Sequence, residues 1–369
     1  MNVLWIVIDT LRADHLGCYG YFRDTSPTID RLAAEGVLFK DFYASAIATG
    51  PGFTSLFTGR SAISHGFYLT PWNVPNAPLL DDDIPTLPEL IQDNARHTTV
   101  ALDNLMNFRS HMKQFVRGFE FYINVTRSSR WVHHLVLGEE VSKRLIEWLD
   151  QHRAEPFFAF AHYWDPHFSY NQPEAYRFLF KHEKGNVADL RVVRAPAGYD
   201  YVPGWGKVGE IVEGDERHSL DLYDGEVRYV DHCVEQVMEA LADLGLLSDT
   251  VIVLTSDHGE QLGQHGVYGH ARIYEECVRV PLILWGPRFF PRGLAVEGFA
   301  QHADVAPTIL DVLGIKPDEG MDGRSLLPRL RGETKAPEFI VTEDGMERAL
   351  RRGPFKFIQT KQAEAELYN

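Results

Sequence analysis

The stretch "TVIVLTSDHGE", residues 250–260, joins a run of apolar and β-branched residues to an Asp-His pair. The run is too continuous for a strand with one face in water, and it suits a strand buried on both faces. Four other runs read the same way: "VLWIVI" (3–8), "TTVALD" (98–103), "FFAFAH" (157–162) and "VPLILW" (280–285). Helical patterns lie between them. "SPTIDRLAAEG" (26–36) offers Ser26 as a cap, Pro27 at the first helical position and Gly36 past the end. Residues 138–152 put Val141, Leu145 and Leu149 on one stripe, and residues 223–245 do the same with Val227, Val230, Val234, Val237, Leu241 and Leu244. "DVAPTILDVLG" (304–314) is a further short helix. This alternation predicts an α/β fold with a mostly parallel sheet between helices.

The chain has 369 residues, 44% of them hydrophobic and 24% charged, enough to bury a large core in one or two domains. A formal net charge of −16 argues against nucleic acid or an anionic membrane surface as a partner. It leaves a small anionic substrate open, because a metal ion inverts the local field. The start, "MNVLWIVIDT", reads as a buried strand and not as a signal peptide. No run approaches the roughly 18 apolar residues of a membrane span. The three cysteines, Cys18, Cys233 and Cys277, have no metal or redox spacing, as expected of reduced thiols in a cytoplasmic protein. Residues 168–218 are aromatic, weakly periodic and rich in turn residues, and read as an insertion or lid within an α/β catalytic domain spanning 1–335. From 336 to 369, "EFIVTEDG" and "KFIQT" read as strands of a small antiparallel subdomain.

Ligands in open α/β sheets collect beyond the carboxyl ends of the strands. Three expected strands end there in metal-competent residues: Asp9, then Asp165 and His167, then Asp257 and His258. Carboxylate with imidazole suits Zn²⁺ or Mn²⁺, with Mg²⁺ or Ca²⁺ if oxygen donors dominate. A fourth segment, "IATGPGFTSLFTGR" (47–60), sets Thr49 ahead of a Gly-Pro-Gly turn and a helix-like stretch. That arrangement aims a helix N-terminus at Thr49, although the same residues serve equally well as an ordinary cap.

Six blocks carry a resemblance: "VIDTLRADHLGCYGY", "TGPGFTSLFTGR", "HYWDPHFSY", "SDHGEQLGQHGVYGH", "YEECVRVPLILWGP" and "QHADVAPTILDVLGIKPDEGMDGRSLLP". Their order resembles that of the sulfatase family of the alkaline-phosphatase superfamily, over essentially the whole chain. The resemblance implies a doubly wound α/β core with a small C-terminal antiparallel sheet, a divalent metal at the strand ends and a nucleophile at the head of the helix after the second block. Sulfatases carry C-x-P-x-R or S-x-P-x-R there, with the Cys or Ser converted to formylglycine. This chain has Thr49 and Pro51 at the corresponding positions, and Phe53 where the arginine would stand. It therefore looks like the branches in which an unmodified Thr attacks directly.

By that resemblance Asp9, Thr49, Asp257 and His258 are the ligands of a divalent ion (Mn²⁺, Zn²⁺ or Ca²⁺). His167 and His270 bind the anionic group or protonate the leaving oxygen, and His265 is a weaker candidate of the same kind. Asp165 is expected to steady His167, and Asn104 to line the pocket. Arg12 is expected to brace the first loop, while His302 and Asp304 are expected to serve the head of the next helix. The expected activity is hydrolysis of a phosphodiester or phosphonate monoester, with a sulfate ester, a transferase and a non-catalytic metal- or anion-binding relative as alternatives. The ending "AEAELYN" resembles a point at which the family continues, so the expectation is that the appendage is small, that a partner subunit completes it, or that the chain is a trimmed form of a longer one; a homo-oligomer is a separate expectation.

Overall fold

The computed structural model describes residues 1–68, 79–104, 112–125, 137–168, 170–180, 201–202, 206–207, 216–361 and 364–369; for 201–202, 206–207 and 216–219 only the backbone is described. Most of the expected insertion at 168–218 lies outside the described residues.

The central sheet is built from β1 (Asn2–Ile8), β2 (Val37–Tyr43), β3 (Thr98–Asp103), β4 (Phe121–Asn124), β5 (Phe157–Tyr163), β6 (Thr250–Thr255), β7 (Leu282–Trp285) and β8 (Leu294–Gln301). Their spatial order is β8-β2-β7-β6-β1-β5-β3-β4. Every pairing is parallel except the two made by β7, which runs antiparallel to β2 and β6. The reason lies in the connection. After β6 the chain stays at the carboxyl end of the sheet through residues 256–281, so β7 starts level with the end of β6, Leu282 opposite Thr255. With no crossover helix to carry it back, the next strand can only descend.

Five strands fall on the continuous apolar runs. The ones the runs do not announce are less regular. β2 is interrupted by Lys40 and Asp41, and β8 is a half-exposed edge strand whose register shifts between Val296 and Phe299.

Side chains of β1 alternate between two cores. Leu4, Ile6 and Ile8 join Ile29 and Leu32 of α1 (Pro27–Glu35), Val141, Leu145 and Leu149 of α4 (Gly138–His152), and Val227, Val230, Val234 and Val237 of α5 (Glu216–Asp243). Val3, Trp5 and Val7 join Phe53, Leu56 and Phe57 of α2 (Thr49–Thr58), Leu87 and Ile91 of α3 (Leu87–Asn94), and Val305 and Ile309 of α6 (Val305–Val312). The sheet is thus covered on both faces. One cap differs from the expectation. Ser26 precedes α1 but makes no side-chain cap; the N–H groups of Thr28 and Ile29 donate instead to the Asp231 carboxylate of α5. A tertiary contact does the work that a local one was expected to do.

The C-terminal sheet is antiparallel, β9 (Phe339–Glu343), β10 (Glu347–Arg352), β11 (Phe355–Thr360) and β12 (Glu366–Tyr368) in that order. Ile340, Ala349 and Ile358 seat it on Tyr43, Ile47, Ile273 and Val278. Arg272 reaches from the long 256–281 connection to Glu347 and to Glu366, 2.8 Å away in the second case. Among the described residues no helix is long and apolar enough to cross a membrane.

Candidate active site

The parallel register places the ends of β1, β5 and β6 level, with Val7 flanked by His162 and Thr255. Asp9 and Asp257 therefore emerge side by side just past the sheet. Thr10 takes a positive φ of 55°, uncommon for a β-branched residue. The turn that results sends its N–H to Asp257 Oδ1 at 3.3 Å and the Leu11 N–H to Ser256 Oγ at 2.9 Å. Arg12 does brace this loop. Its guanidinium holds Asp14 through two bonds and donates to the Glu260 carbonyl at 2.9 Å.

Asp9, Asp257 and His258 offer ligand atoms that all lie within 4.8 Å of one another, and all three residues are buried. His258 Nδ1 faces the Gly259 carbonyl at 2.9 Å, so Nδ1 carries the proton and Nε2 presents a lone pair. That lone pair points among oxygens: Asp257 Oδ2 at 3.4 Å, Asp9 Oδ1 at 3.9 Å and Thr49 Oγ1 at 3.4 Å. Neither Asp9 oxygen, nor Asp257 Oδ2, accepts a hydrogen bond from the described residues. Burial, reinforced by the Asp257 charge, raises the Asp9 pKa, and burial pushes Asp257 up to about 6. Burial and the neighbouring His270 lower His258 to about 4. Three buried carboxylate oxygens that converge with no donor among the described residues fit a divalent cation, which would supply the missing positive charge.

Thr49 opens α2, and Gly52 lets that helix come close. A Cβ on Gly52 would lie 2.8 Å from the Asp257 carbonyl oxygen, a backbone atom that cannot swing aside. Gly52→Ala is expected to destabilise the protein by about 1–3 kcal/mol and, by shifting Thr49, to lower turnover by about 100-fold. Thermal melts and steady-state kinetics check this; unchanged kinetics would mean that this contact does not place Thr49.

A second group, His167, Glu260 and His270, lies alongside, with the His270 ring 4.4 Å from that of His258 and 5.3 Å from that of His167. His270 Nδ1 is 3.5 Å from Glu260 Oε1. Although burial opposes it, Glu260 raises the His270 pKa, helped by Asp9 and Asp257. Glu260 is absent from the sequence reading, yet it follows the Asp-His pair by only two positions. His162 and Asp103 are absent too. Their signal is a polar residue inside a strand buried on both faces, where it must find a partner.

The other expected site residues are placed as follows. His167 is buried, with its ring 3.9 Å from Trp164 and its Nδ1 against the Phe168 carbonyl. Asp165 does not steady it. The Asp165 carboxyl lies instead with Glu226 and the Gly138 N–H, and burial raises it to about 6 and Glu226 well above its usual range. Asn104 is buried directly after β3. His265 stacks on Tyr274 at 3.9 Å, beside Tyr368 and Glu276, none of which belongs to either group. His302 lies between the Ser45 N–H and the Ser256 carbonyl, and Asp304 accepts from the Gln301 and Arg324 N–H groups, as expected of residues at the head of α6.

Comparison with known proteins gives this geometry its context. The Sulfatase family model matches residues 1–315. The multifunctional alkaline phosphatase superfamily protein PehA of Trinickia caryophylli is 29% identical, over 89% of this chain and 77% of that protein. Mouse (Mus musculus) iduronate 2-sulfatase is 27% identical, over 91% of this chain and 69% of its own length. Among solved structures, the phosphonate monoester hydrolase of Agrobacterium radiobacter superposes with a TM-score of 0.80 at 20% identity, covering 100% of this chain and 89% of that one, a likeness of fold. A sheet whose central strands deliver carboxylates to one edge, matched along most of its length by that family, has one assignment: the chain belongs to the sulfatase family, ester-hydrolysing enzymes of the alkaline-phosphatase superfamily.

Proposed function

We propose that this protein hydrolyses an anionic ester by direct attack of Thr49 on a phosphodiester or phosphonate monoester. The observation that carries this reading is the position of Thr49 Oγ1, at the first turn of α2 and 3.4 Å from His258 Nε2, beside the converging oxygens of Asp9 and Asp257. Asp9, Asp257, His258 and Thr49 would hold a divalent ion, which when bound lowers the pKa of a hydroxyl and neutralises a non-bridging oxygen. Thr49 gives its proton to solvent, and its Oγ1 forms a bond to phosphorus as the bond to the leaving oxygen breaks. His270, whose pKa Glu260 raises although burial opposes it, supplies the proton that the leaving oxygen needs. His167 faces His270 and binds the anionic oxygens. Water then attacks the same phosphorus, the bond to Thr49 Oγ1 breaks and Oγ1 regains a proton, and a diester leaves as a phosphate monoester, a phosphonate monoester as the free phosphonate. The unmodified Thr49 and the apolar Phe53 favour phosphorus over sulfur. A sulfate ester is the second reading, favoured by relatives named as sulfatases, such as iduronate 2-sulfatase.

A matched panel of aryl esters tests the choice: a phosphate monoester, a phosphodiester, a phosphonate monoester and a sulfate, each with Mn²⁺, Zn²⁺, Ca²⁺ or chelator. The expected result is chelator-sensitive cleavage with the diester or phosphonate ahead. Preferred cleavage of the sulfate would overturn the phosphorus assignment.

A further inference from the structure

A chain of charged groups crosses three neighbouring strands at the carboxyl edge of the sheet. Asp103 ends β3, His162 lies near the end of β5 and Asp9 follows β1, in the spatial order of those strands. Asp103 is held from β4: its Oδ2 accepts from the Tyr122 hydroxyl at 2.6 Å and from Asn124 Nδ2 at 2.9 Å. Its Oδ1 takes His162 Nδ1 at 3.1 Å. On the far side of the ring, His162 Nε2 is 3.6 Å from Asp9 Oδ2. The ring has little freedom to turn, with Phe53 edge-on at 4.9 Å and Phe160 stacked at 6.4 Å. All three charged side chains are completely buried.

We propose that His162 is the positioning residue of the cation site: anchored by Asp103, it holds the Oδ2 side of Asp9 so that Oδ1 faces His258 and a divalent ion. The inference rests on the reading that Asp9, Asp257 and His258 hold such an ion. With a carboxylate facing each nitrogen, the ring lies against the Oδ2 side of Asp9 at 3.6 Å and leaves Oδ1 turned toward His258 Nε2, 3.9 Å away. A carboxylate ligand with free rotation would spread both oxygens over many orientations. Partners of this kind, one step removed from the ion, are worth about 10- to 100-fold in metal affinity.

Calorimetric titration of Mn²⁺ into the metal-free protein tests this, with thermal melts in chelator as the check on folding. His162→Leu is expected to weaken Mn²⁺ binding by about 10- to 100-fold, and Asp103→Asn, which releases the ring, to weaken it in the same direction. His162→Gln is expected to recover part of the loss, because its amide keeps a polar group against the Oδ2 side of Asp9. Wild-type affinity in both His162→Leu and Asp103→Asn would overturn the proposal. So would equal losses in His162→Leu and His162→Gln accompanied by equally lowered melting, the mark of a purely structural residue. If His162→Leu does not fold, His162→Gln and Asp103→Asn decide, with wild-type affinity in both overturning the proposal. Asp9→Asn separates the two levels. Undiminished Mn²⁺ binding there, or none in the wild type, would remove the cation site itself. Loss in Asp9→Asn with none in the His162 and Asp103 variants would remove only the relay.

Discussion

Thr49→Ala is expected to lower kcat/KM for the preferred ester by at least about 10,000-fold, while the fold persists and Asp9, Asp257 and His258 still bind the cation, with one ligand fewer. The size follows from the role: without Oγ1 no covalent bond to the substrate forms, and only binding and electrostatic stabilisation remain. Alanine suits the first turn of a helix, so the change in stability is expected to stay below about 1 kcal/mol. The Thr54 Oγ1 bond to the Gly50 carbonyl and the close approach of Gly52 to Asp257 are both untouched by the substitution. Thr49→Ser restores a hydroxyl at the same backbone position and is expected to recover much of the activity. Steady-state kinetics on the aryl panel, with melts and Mn²⁺ titration in parallel, make the comparison. Turnover that survives in Thr49→Ala would show that another group attacks.

The second large effect concerns the cation and pH. In chelator, Asp257 keeps its proton up to about pH 6 in the folded protein, against a reference of 3.8 for the free side chain. The folded state then binds more protons than the unfolded chain across this window. Stability from this group is therefore complete below about pH 4 and is lost as pH rises to about 6, a contribution of about 3 kcal/mol. His65 and His258, which burial holds neutral down to about pH 4, act in the opposite direction. The informative quantity is thus the difference between wild type and Asp257→Asn in denaturant titrations across pH 4–7. Asp257→Asn is expected to abolish the Asp257 contribution to the slope and to be the more stable protein in chelator at pH 7. With Mn²⁺ at about 100 times its Kd the wild type is expected to gain about 2.7 kcal/mol, and the variant nothing comparable. Parallel pH curves would overturn the raised pKa of Asp257, and equal gains from Mn²⁺ would place Asp257 outside the cation site.

Much of this molecule is legible without coordinates because its central strands are buried on both faces and so read as continuous apolar runs. Two of those strands, β1 and β6, also end abruptly in polar residues, which is how Asp9, Asp257 and His258 stand out. The edge strand β8 and the interrupted β2 carry no comparable run, because one side of each meets water or a charged neighbour. Asp231 capping α1 is invisible locally, since the residue lies some 200 positions from the N–H groups it serves. Asp165 shows the reverse error. It is two residues from His167 in the chain, but the loop turns its carboxyl toward Glu226, and proximity in sequence gives no orientation.

The order of the apolar runs, the polar residues at their ends and the Thr49 segment determine the fold class and most of the candidate chemistry, because burial and strand polarity are properties of the chain itself. Which strands become neighbours is a property of the whole sheet. Only that order brings Asp103, His162 and Asp9 into one line and sets Asp9 beside His258, and only the packing of α2 on the sheet presses Gly52 against the Asp257 carbonyl. Distances of a few ångströms between residues so far apart in sequence are decided by packing, and the chemistry of the site depends on those distances.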